Sequence, residues 1–150
     1  MNDKNIITSD NPLNEAQKEK LAALLNTIIP PSEDGNLPSA AELDLVLYLQ
    51  TYVEDFLPLL GKILNNFDDV FTTLKPNERH TVVEEFSAEH ANLFASLLFS
   101  VYACYYQDDR VHKGIGMDEG PPFPRGNTVI AGDLSLLDPV LKRPSMYRKV

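Results

Sequence analysis

The stretch from Ala91 to Tyr106 constrains the fold of this chain most, because its sixteen residues include no charged side chain. Apolar side chains recur along it at helical spacing and cover more than one stripe, as Leu93, Leu97 and Val101 illustrate. A helix that is apolar on most sides is buried on most sides, so the sequence predicts a central core helix here. The stretch is shorter than the roughly 20 apolar residues that a membrane-spanning helix needs, and we predict no insertion into a membrane.

Six segments in all have apolar residues at helical spacing, and each is bounded by a proline, a capping residue or a polar loop. The predicted segments cover residues 14–29, 39–56, 58–66, 67–74, 76–86 and 87–106. Asn14 and Ser39 are the predicted caps of the first two, since Glu42 follows Ser39 at the spacing of a capping box. Ser87 is the predicted cap of the last segment. Together they predict an all-α fold, a small bundle of about five helices.

The apolar positions of these segments give the expected core. The segments that supply the core carry large apolar residues at intervals of three and four, which places them on one side of a helix in every case but the last, where they cover more than one stripe. The expected inward residues are Leu21, Leu24, Leu25, Ile28, Ile29, Leu43, Val46, Leu47, Leu49, Phe67, Val70, Phe71, Leu74, Val82, Val83, Phe86, Leu93, Phe94, Leu97, Leu98, Val101 and Tyr102. The single cysteine, Cys104, excludes an intrachain disulfide, and its favoured role is a buried small hydrophobe rather than a nucleophile.

The character of the sequence changes after Tyr106. Residues 107–150 hold five of the seven glycines and five of the eleven prolines, and they show no helical or strand period of useful length. They also contain core-type residues such as Phe123, in which a disordered tail would be poor. We therefore predict a flexible N-terminus at 1–13, a helical body at 14–106 and a long irregular Pro/Gly-rich arm beyond it. The arm is expected to bury its apolar groups against the helices, a partner or both.

The formal net charge of −9 is unevenly spread. Residues 1–100 hold six lysines and arginines against sixteen aspartates and glutamates, whereas residues 101–150 hold seven against six. An acidic surface repels phosphate groups, so neither a nucleic acid nor an anionic lipid surface is the expected partner. A weak basic patch near the C-terminus fits either a solvated tail or an ionic contact with a partner. Its members are Lys142, Arg143, Arg148 and Lys149.

Sequence patterns that would indicate catalysis are missing. Gly114, Gly116 and Gly120 differ from a dinucleotide loop, because the third glycine comes one residue late and no predicted strand precedes them. Neither His80 nor His90 has a carboxylate three residues before it, as di-iron helical bundles need. No His-Glu-x-x-His, Cys-x-x-Cys or Gly-x-Ser-x-Gly motif occurs. We predict no catalytic residue, no cofactor-binding residue and no metal ligand in this chain.

Three tyrosines near the end of the uncharged stretch are candidate partner-binding residues. Tyr102, Tyr105 and Tyr106 recur at i, i+3 and i+4 and therefore share one helical face. Tyrosine has an apolar body and a polar tip, which suits a protein–protein interface and equally suits the edge of a core. Both possibilities stay open from the sequence.

The arm supplies the other candidate partner-binding residues, beginning with Arg110. Phe123 lies between Pro122 and Pro124, which restrict the backbone and present the ring at a low entropic cost. An aromatic side chain that fills a pocket of the partner is a typical hot spot of binding. Arg125, the next residue, is expected to pair with a carboxylate across the interface. The alternative is that the arm folds back over its own helices.

Two stretches of the chain resemble the family known as gluconate 2-dehydrogenase subunit 3. The first is Leu21-Ala-Ala-Leu-Leu-Asn-Thr-Ile-Ile-Pro30, followed by an acidic loop and Ser39-Ala-Ala-Glu42. The second is Tyr105-Tyr-Gln-Asp-Asp-Arg-Val111, then Gly116, Gly120-Pro-Pro-Phe-Pro-Arg-Gly126 and Gly132-Asp-Leu-Ser-Leu-Leu-Asp-Pro139. The resemblance spans most of the chain, and none of its motifs is catalytic.

The resemblance implies a function that the spacing of residues does not show. Members of this family are the small subunits of sugar and alcohol dehydrogenases. Their large subunit is an FAD-binding enzyme of the glucose-methanol-choline oxidoreductase group, and a multihaem cytochrome c subunit often takes the electrons onward. The implied role is a non-catalytic subunit that wraps and stabilises the large one, with FAD in the partner and no cofactor of its own. The alternative is a transient maturation chaperone or export adaptor for such a flavoenzyme.

Family members often carry a twin-arginine leader, and this sequence departs from that pattern. It begins Met-Asn-Asp-Lys-Asn-Ile-Ile, with neither a twin arginine nor an apolar signal core. We therefore expect a cytoplasmic protein that reaches the periplasm only if a partner carries it there.

Overall fold

A computed structural model of the chain describes residues 12–117 and 133–143. The chain divides into two compact units, Met1–Glu119 and Gly120–Val150. The all-α prediction is confirmed, since the described residues contain seven α-helices and no strand. The helices are α1 (Glu15–Ile28), α2 (Leu45–Tyr52), α3 (Leu57–Leu64), α4 (Pro76–Glu89), α5 (Ala91–Tyr105), α6 (Asp109–Gly114) and α7 (Asp138–Leu141). Short 3₁₀ helices lie at Ala40–Glu42, Glu54–Phe56, Asp69–Thr73 and Leu134–Leu137.

Helix α1 begins where the sequence predicts. The Asn14 side chain accepts a hydrogen bond from the backbone N–H of Gln17 at 2.9 Å, and the Gln17 side chain accepts one from the backbone N–H of Asn14 at 3.1 Å. This reciprocal pair satisfies two amide groups that the first turn of a helix leaves free. Leu24 and Leu25 then face the core. Most of the N-terminus predicted to be flexible, residues 1–13, lies outside the described residues, but Leu13 is buried against this core and is not part of a flexible tail.

The second helix begins later than predicted. Ser39 and Glu42 do form a capping box, but it closes a single 3₁₀ turn, after which Leu43 has an extended backbone. A new cap at Asp44, whose carboxylate accepts from the backbone N–H of Leu47 at 2.9 Å, starts α2. The later start changes which residues face inward. Leu47, predicted to lie in the core, is half exposed and Leu45 is buried instead.

The aromatic segment after α3 is also tighter than expected. It forms the 3₁₀ helix Asp69–Thr73, in which Phe71 is buried and stacks near Phe67 with ring centroids 4.6 Å apart. A 3₁₀ helix has about three residues per turn, so Val70 lies a third of a turn away from Phe71. Val70 is exposed, and its predicted place in the core is wrong.

Helices α4 and α5 meet at a break at His90, which lies later in the chain than the break predicted at Ser87. Ser87 does not cap a helix; it lies inside α4, where its hydroxyl donates to the carbonyl of Glu84 at 2.7 Å. The helix ends instead at His90, whose backbone leaves the helical region with φ −124° and ψ 46°. A serine that bonds back to the preceding turn is compatible with a helix interior, which is why Ser87 was a misleading signal. The break allows α4 to pack against α5.

Helix α6 lies in a region predicted to be irregular. Asp108 caps it, and Val111 is fully buried in the core that the other helices form. A side chain at Gly114 would place its Cβ 2.5 Å from Leu37 Cδ2 and 2.7 Å from the carbonyl oxygen of Asn36. Gly114 is therefore needed for the close approach of α6 to this loop. In the second unit, residues 134–141 are helical as well.

Candidate partner-binding surface

Helix α5 has two apolar faces, of which only one faces the core. Leu97 and Val101 are buried, as predicted. The prediction that the helix is buried on most sides is wrong, because Phe99, Tyr102 and Tyr106 are 75%, 44% and 54% exposed. These three residues recur at i, i+3 and i+7, so they follow one outward stripe, which we call the α5 aromatic stripe.

The three candidate tyrosines lie on different sides of the helix. Tyr105 is buried, and its hydroxyl donates to the backbone carbonyl of Pro38 at 2.9 Å. Burial raises the pKa of Tyr105. Tyr102 and Tyr106 point outward with ring centroids 6.4 Å apart, and the Tyr106 ring meets that of Tyr105 edge-on at 5.4 Å. Tyr105 therefore anchors the helix, while Tyr102 and Tyr106 are free to contact a partner.

Arg110 is held by carboxylates of its own chain. Its Nε donates to Asp108 Oδ1 at 2.9 Å and its Nη2 to Asp108 Oδ2 at 3.0 Å, a two-pronged contact. Its Nη1 lies 3.7 Å from Glu42 Oε2. The Arg110 hydrogen bonds hold the pKa of Asp108 below its usual range, and Asp108 in turn raises the pKa of Arg110. Arg110 thus connects the turn after α5 to the 3₁₀ helix Ala40–Glu42, although about half of its side chain is exposed.

His112 provides a further connection between α6 and the end of α5. Its Nε2 lies 2.6 Å from the backbone carbonyl oxygen of Tyr106, so this nitrogen carries a hydrogen and donates. Its Nδ1 lies 3.9 Å from an Asp109 carboxylate oxygen. The contact fixes the backbone beneath Tyr106, which supports one end of the α5 aromatic stripe.

An open cleft of about 660 Å³ lies between the loop at residues 31–38 and α6. Glu42, Arg110 and Lys113 bring charged groups to it, and its lining contains no serine, cysteine or histidine. Glu42 and Arg110 already form an ion pair there. We assign the cleft no reaction.

Cys104 lacks the properties of a nucleophile. Burial, followed by the nearby charges of Asp44 and Asp108, raises the pKa of its thiol to about 11. The thiol is therefore protonated at neutral pH, whereas a reactive cysteine needs a lowered pKa. Among the residues that the structure describes, no group of three histidine, cysteine or carboxylate side chains is arranged to hold a metal ion. No helix in this described part is long and apolar enough to cross a membrane.

Phe99 is not among the residues that the sequence predicts to bind a partner, and several residues that are predicted to do so lie beyond the described residues. Phe99 stands three residues before Tyr102 and seven before Tyr106, and this spacing was the available signal. The other candidates from the arm, Pro122, Phe123, Pro124 and Arg125, lie outside the part of the chain that the structure describes.

The chain was compared with protein-family models, with curated proteins and with solved structures. It matches none of them.

Proposed function

We propose that this chain is a non-catalytic small subunit that binds and stabilises a larger FAD-dependent dehydrogenase of the glucose-methanol-choline group. The observation that carries the binding role is the α5 aromatic stripe. Phe99, Tyr102 and Tyr106 expose apolar surface along one line of a helix whose opposite face already fills the core. Contiguous exposed apolar surface of this kind is typical of protein-binding sites, and aromatic residues are enriched at their centres.

The class of partner is supported by the resemblance of the sequence to the subunit 3 family. In this proposal FAD and the hydride-transfer chemistry belong to the large subunit, and a cytochrome c subunit is a further candidate member of the complex. The contacts of Tyr105, Arg110 and His112 with the rest of the chain support the helix that would face the partner. A transient maturation chaperone would use the same surface, so the lifetime of the complex separates the two functions.

The test is a purification of the full chain, carrying an affinity tag, from its native source. We expect one large flavoprotein to accompany it in equimolar amount through size-exclusion chromatography, with flavin absorbance in that peak. The chain produced alone should show neither flavin absorbance nor dehydrogenase activity. A chaperone would be recovered in less than equimolar amount, and flavin eluting with the isolated chain would contradict the proposal.

A second experiment tests the α5 aromatic stripe itself. Replacing Phe99 and Tyr102 by serine should weaken binding of the co-purifying flavoprotein at least about tenfold, because truncated aromatic hot spots typically cost 2 kcal/mol or more. Tyr52→Ser is the matched control, since Tyr52 is an exposed aromatic residue on α2. Equal affinity of the double variant and the control would show that the stripe is not the binding surface.

A further inference from the structure

A second exposed apolar face lies in the unit Gly120–Val150. The 3₁₀ helix Leu134–Leu137 runs directly into α7, so residues 134–141 form one helical stretch. Within it Leu134, Leu137, Val140 and Leu141 are 72%, 51%, 55% and 79% exposed. Four large aliphatic side chains exposed within eight residues are unusual for a chain whose helical body buries most of its leucines.

The spacing of these residues is that of a helix that binds in a groove. Leu134, Leu137 and Leu141 recur at i, i+3 and i+7 and therefore share a face. Asp133 caps the stretch by accepting from the backbone N–H of Ser135 at 2.9 Å, and hydrogen bonds from Ser135 hold the pKa of Asp133 low. Pro139, in the first turn of α7, fixes its own backbone angle. The stretch is pre-organised by these local features, which lowers the entropic cost of binding.

The charges that follow the stretch indicate what kind of surface it binds. Lys142 and Arg143 come immediately after Leu141, at the end of the helix where the backbone carbonyls carry partial negative charge. Neither takes part in an ion pair with a carboxylate of the described residues. An apolar face that ends in two cations is complementary to an apolar groove that ends in carboxylates.

We infer that residues 133–143 are a docking helix whose leucine face enters an apolar groove of the large subunit, where carboxylates at one end of the groove bind Lys142 and Arg143. This inference rests on the proposed function and adds the chemistry of a second contact. The α5 aromatic stripe offers aromatic rings without charges, whereas the docking helix offers aliphatic side chains with cations, so the two contacts need different surfaces of the partner.

The experiment measures the affinity of full-length variants for the large subunit purified from the native complex. The double variant Leu134→Ser, Leu141→Ser should raise the Kd at least about tenfold, with no change in thermal unfolding, because both residues are exposed in the free chain. Val70→Ser is the matched control, since Val70 is an exposed aliphatic residue of the helical body, and it should leave the Kd unchanged. Neutralising Lys142 and Arg143 by replacement with glutamine should slow association and weaken its dependence on salt.

Zero-length carbodiimide crosslinking gives a second readout. We expect Lys142 to become joined to an aspartate or glutamate of the large subunit. If the native chain binds no flavoprotein, both the proposed function and the docking helix are overturned. If it binds and the leucine variant binds equally well, only the docking helix is overturned. A leucine variant that instead turns a dimer of this chain into a monomer would identify a second copy as the occupant and would also overturn the inference.

Discussion

Helices α1 and α5 are similar in length but present different outer surfaces. Both use aliphatic residues for the core, Leu24 in α1 and Leu97 in α5, and both of these side chains are fully buried. The outer side of α1 carries charged residues, and Lys18 pairs there with Glu15 at 2.7 Å. The outer side of α5 carries the aromatic stripe and no charge. Since one apolar face is enough to attach a helix to a core, folding does not require the second apolar face of α5, and we propose that this face binds a partner.

The largest expected effect would separate the two faces of α5. Leu97→Asp places an unpaired charge in the core and should prevent folding, because even Leu→Ala at such a site costs about 2–5 kcal/mol. Phe99→Asp, two residues further along, should leave the free energy of unfolding within about 0.5 kcal/mol of the native chain. Circular dichroism in a urea titration measures both. A cooperatively unfolding Leu97→Asp variant would show that the core has been misplaced.

The next effect tests how tightly α6 packs against the loop at residues 31–38 compared with the packing of α3 against α1. Gly114→Ala should lower the free energy of unfolding by about 1–3 kcal/mol, because the added methyl meets Leu37 and the backbone of Asn36. Gly61→Ala is the matched control, since among the described residues an added Cβ there would meet the Gln17 side chain of α1 at 3.7 Å, an ordinary van der Waals distance. The free energy of unfolding of the control should rise by about 0.5–1 kcal/mol because alanine has a better helix propensity than glycine. If both variants change the free energy of unfolding in the same direction, this comparison is contradicted.

A smaller effect distinguishes the inward from the outward tyrosines. Tyr105→Phe removes the hydrogen bond to the Pro38 carbonyl and should lower the free energy of unfolding by about 0.5–1.5 kcal/mol. Tyr106→Phe changes a half-exposed residue and should have no measurable effect on stability. Thermal unfolding of the two variants side by side provides the measurement. If Tyr106→Phe lowered stability and Tyr105→Phe did not, Tyr106 would be the residue that anchors the helix.

The smallest effect is a pH dependence at the end of α5. The pKa of Asp108 in the folded chain lies below its ordinary value of 3.8, mainly because Arg110 donates hydrogen bonds to it. The contribution of the pair to stability is therefore present above that ordinary value and is lost as the pH falls through the lower, folded-state pKa. Arg110→Gln should lower the free energy of unfolding by about 0.2–1 kcal/mol at neutral pH and should not change it in strong acid.

The control for this pH dependence comes from the outer side of α1. Lys18→Gln disrupts the exposed pair with Glu15 and should have a smaller effect, because that pair has a single contact. Acid titrations of unfolding would show a difference between the native chain and Arg110→Gln that closes as the pH falls. A difference that stays constant down to strong acid would mean that Arg110 acts through packing and not through Asp108.

The sequence predicted features that depend on neighbouring residues better than features that depend on distant ones. The cap at Asn14 and the capping box at Ser39 were predicted correctly, since each needs only the next three residues. The helical turn after Ser39 ends early because a new cap at Asp44 starts α2. The break between α4 and α5 at His90 has no side-chain cap, so no capping residue in the sequence indicates it. Local signals therefore located the helices but misplaced some of their ends.

The candidate surface was predicted in part for the same reason. Tyr102 and Tyr106 are exposed, as an interface role requires, but Tyr105 is turned inward by a partner 67 residues away in sequence. Because α5 is apolar all round, its pattern did not indicate which side would meet the core, and Phe99 was overlooked. The helix α6 was missed because it is only six residues long, and its burial at Val111 depends on the core formed by the other helices.

The hydrogen bond between Tyr105 and Pro38 also has a consequence for the order of events during synthesis. A ribosome releases the chain from its N-terminus, so Pro38 emerges long before Tyr105, and Val111 emerges later still. The core therefore lacks two of its buried members until most of the chain has left the exit tunnel. Contacts between residues so far apart also form slowly, because a long loop must close first. We expect the helical body to complete its folding only after α6 has left the exit tunnel, and the α5 aromatic stripe to be fixed on its surface only then.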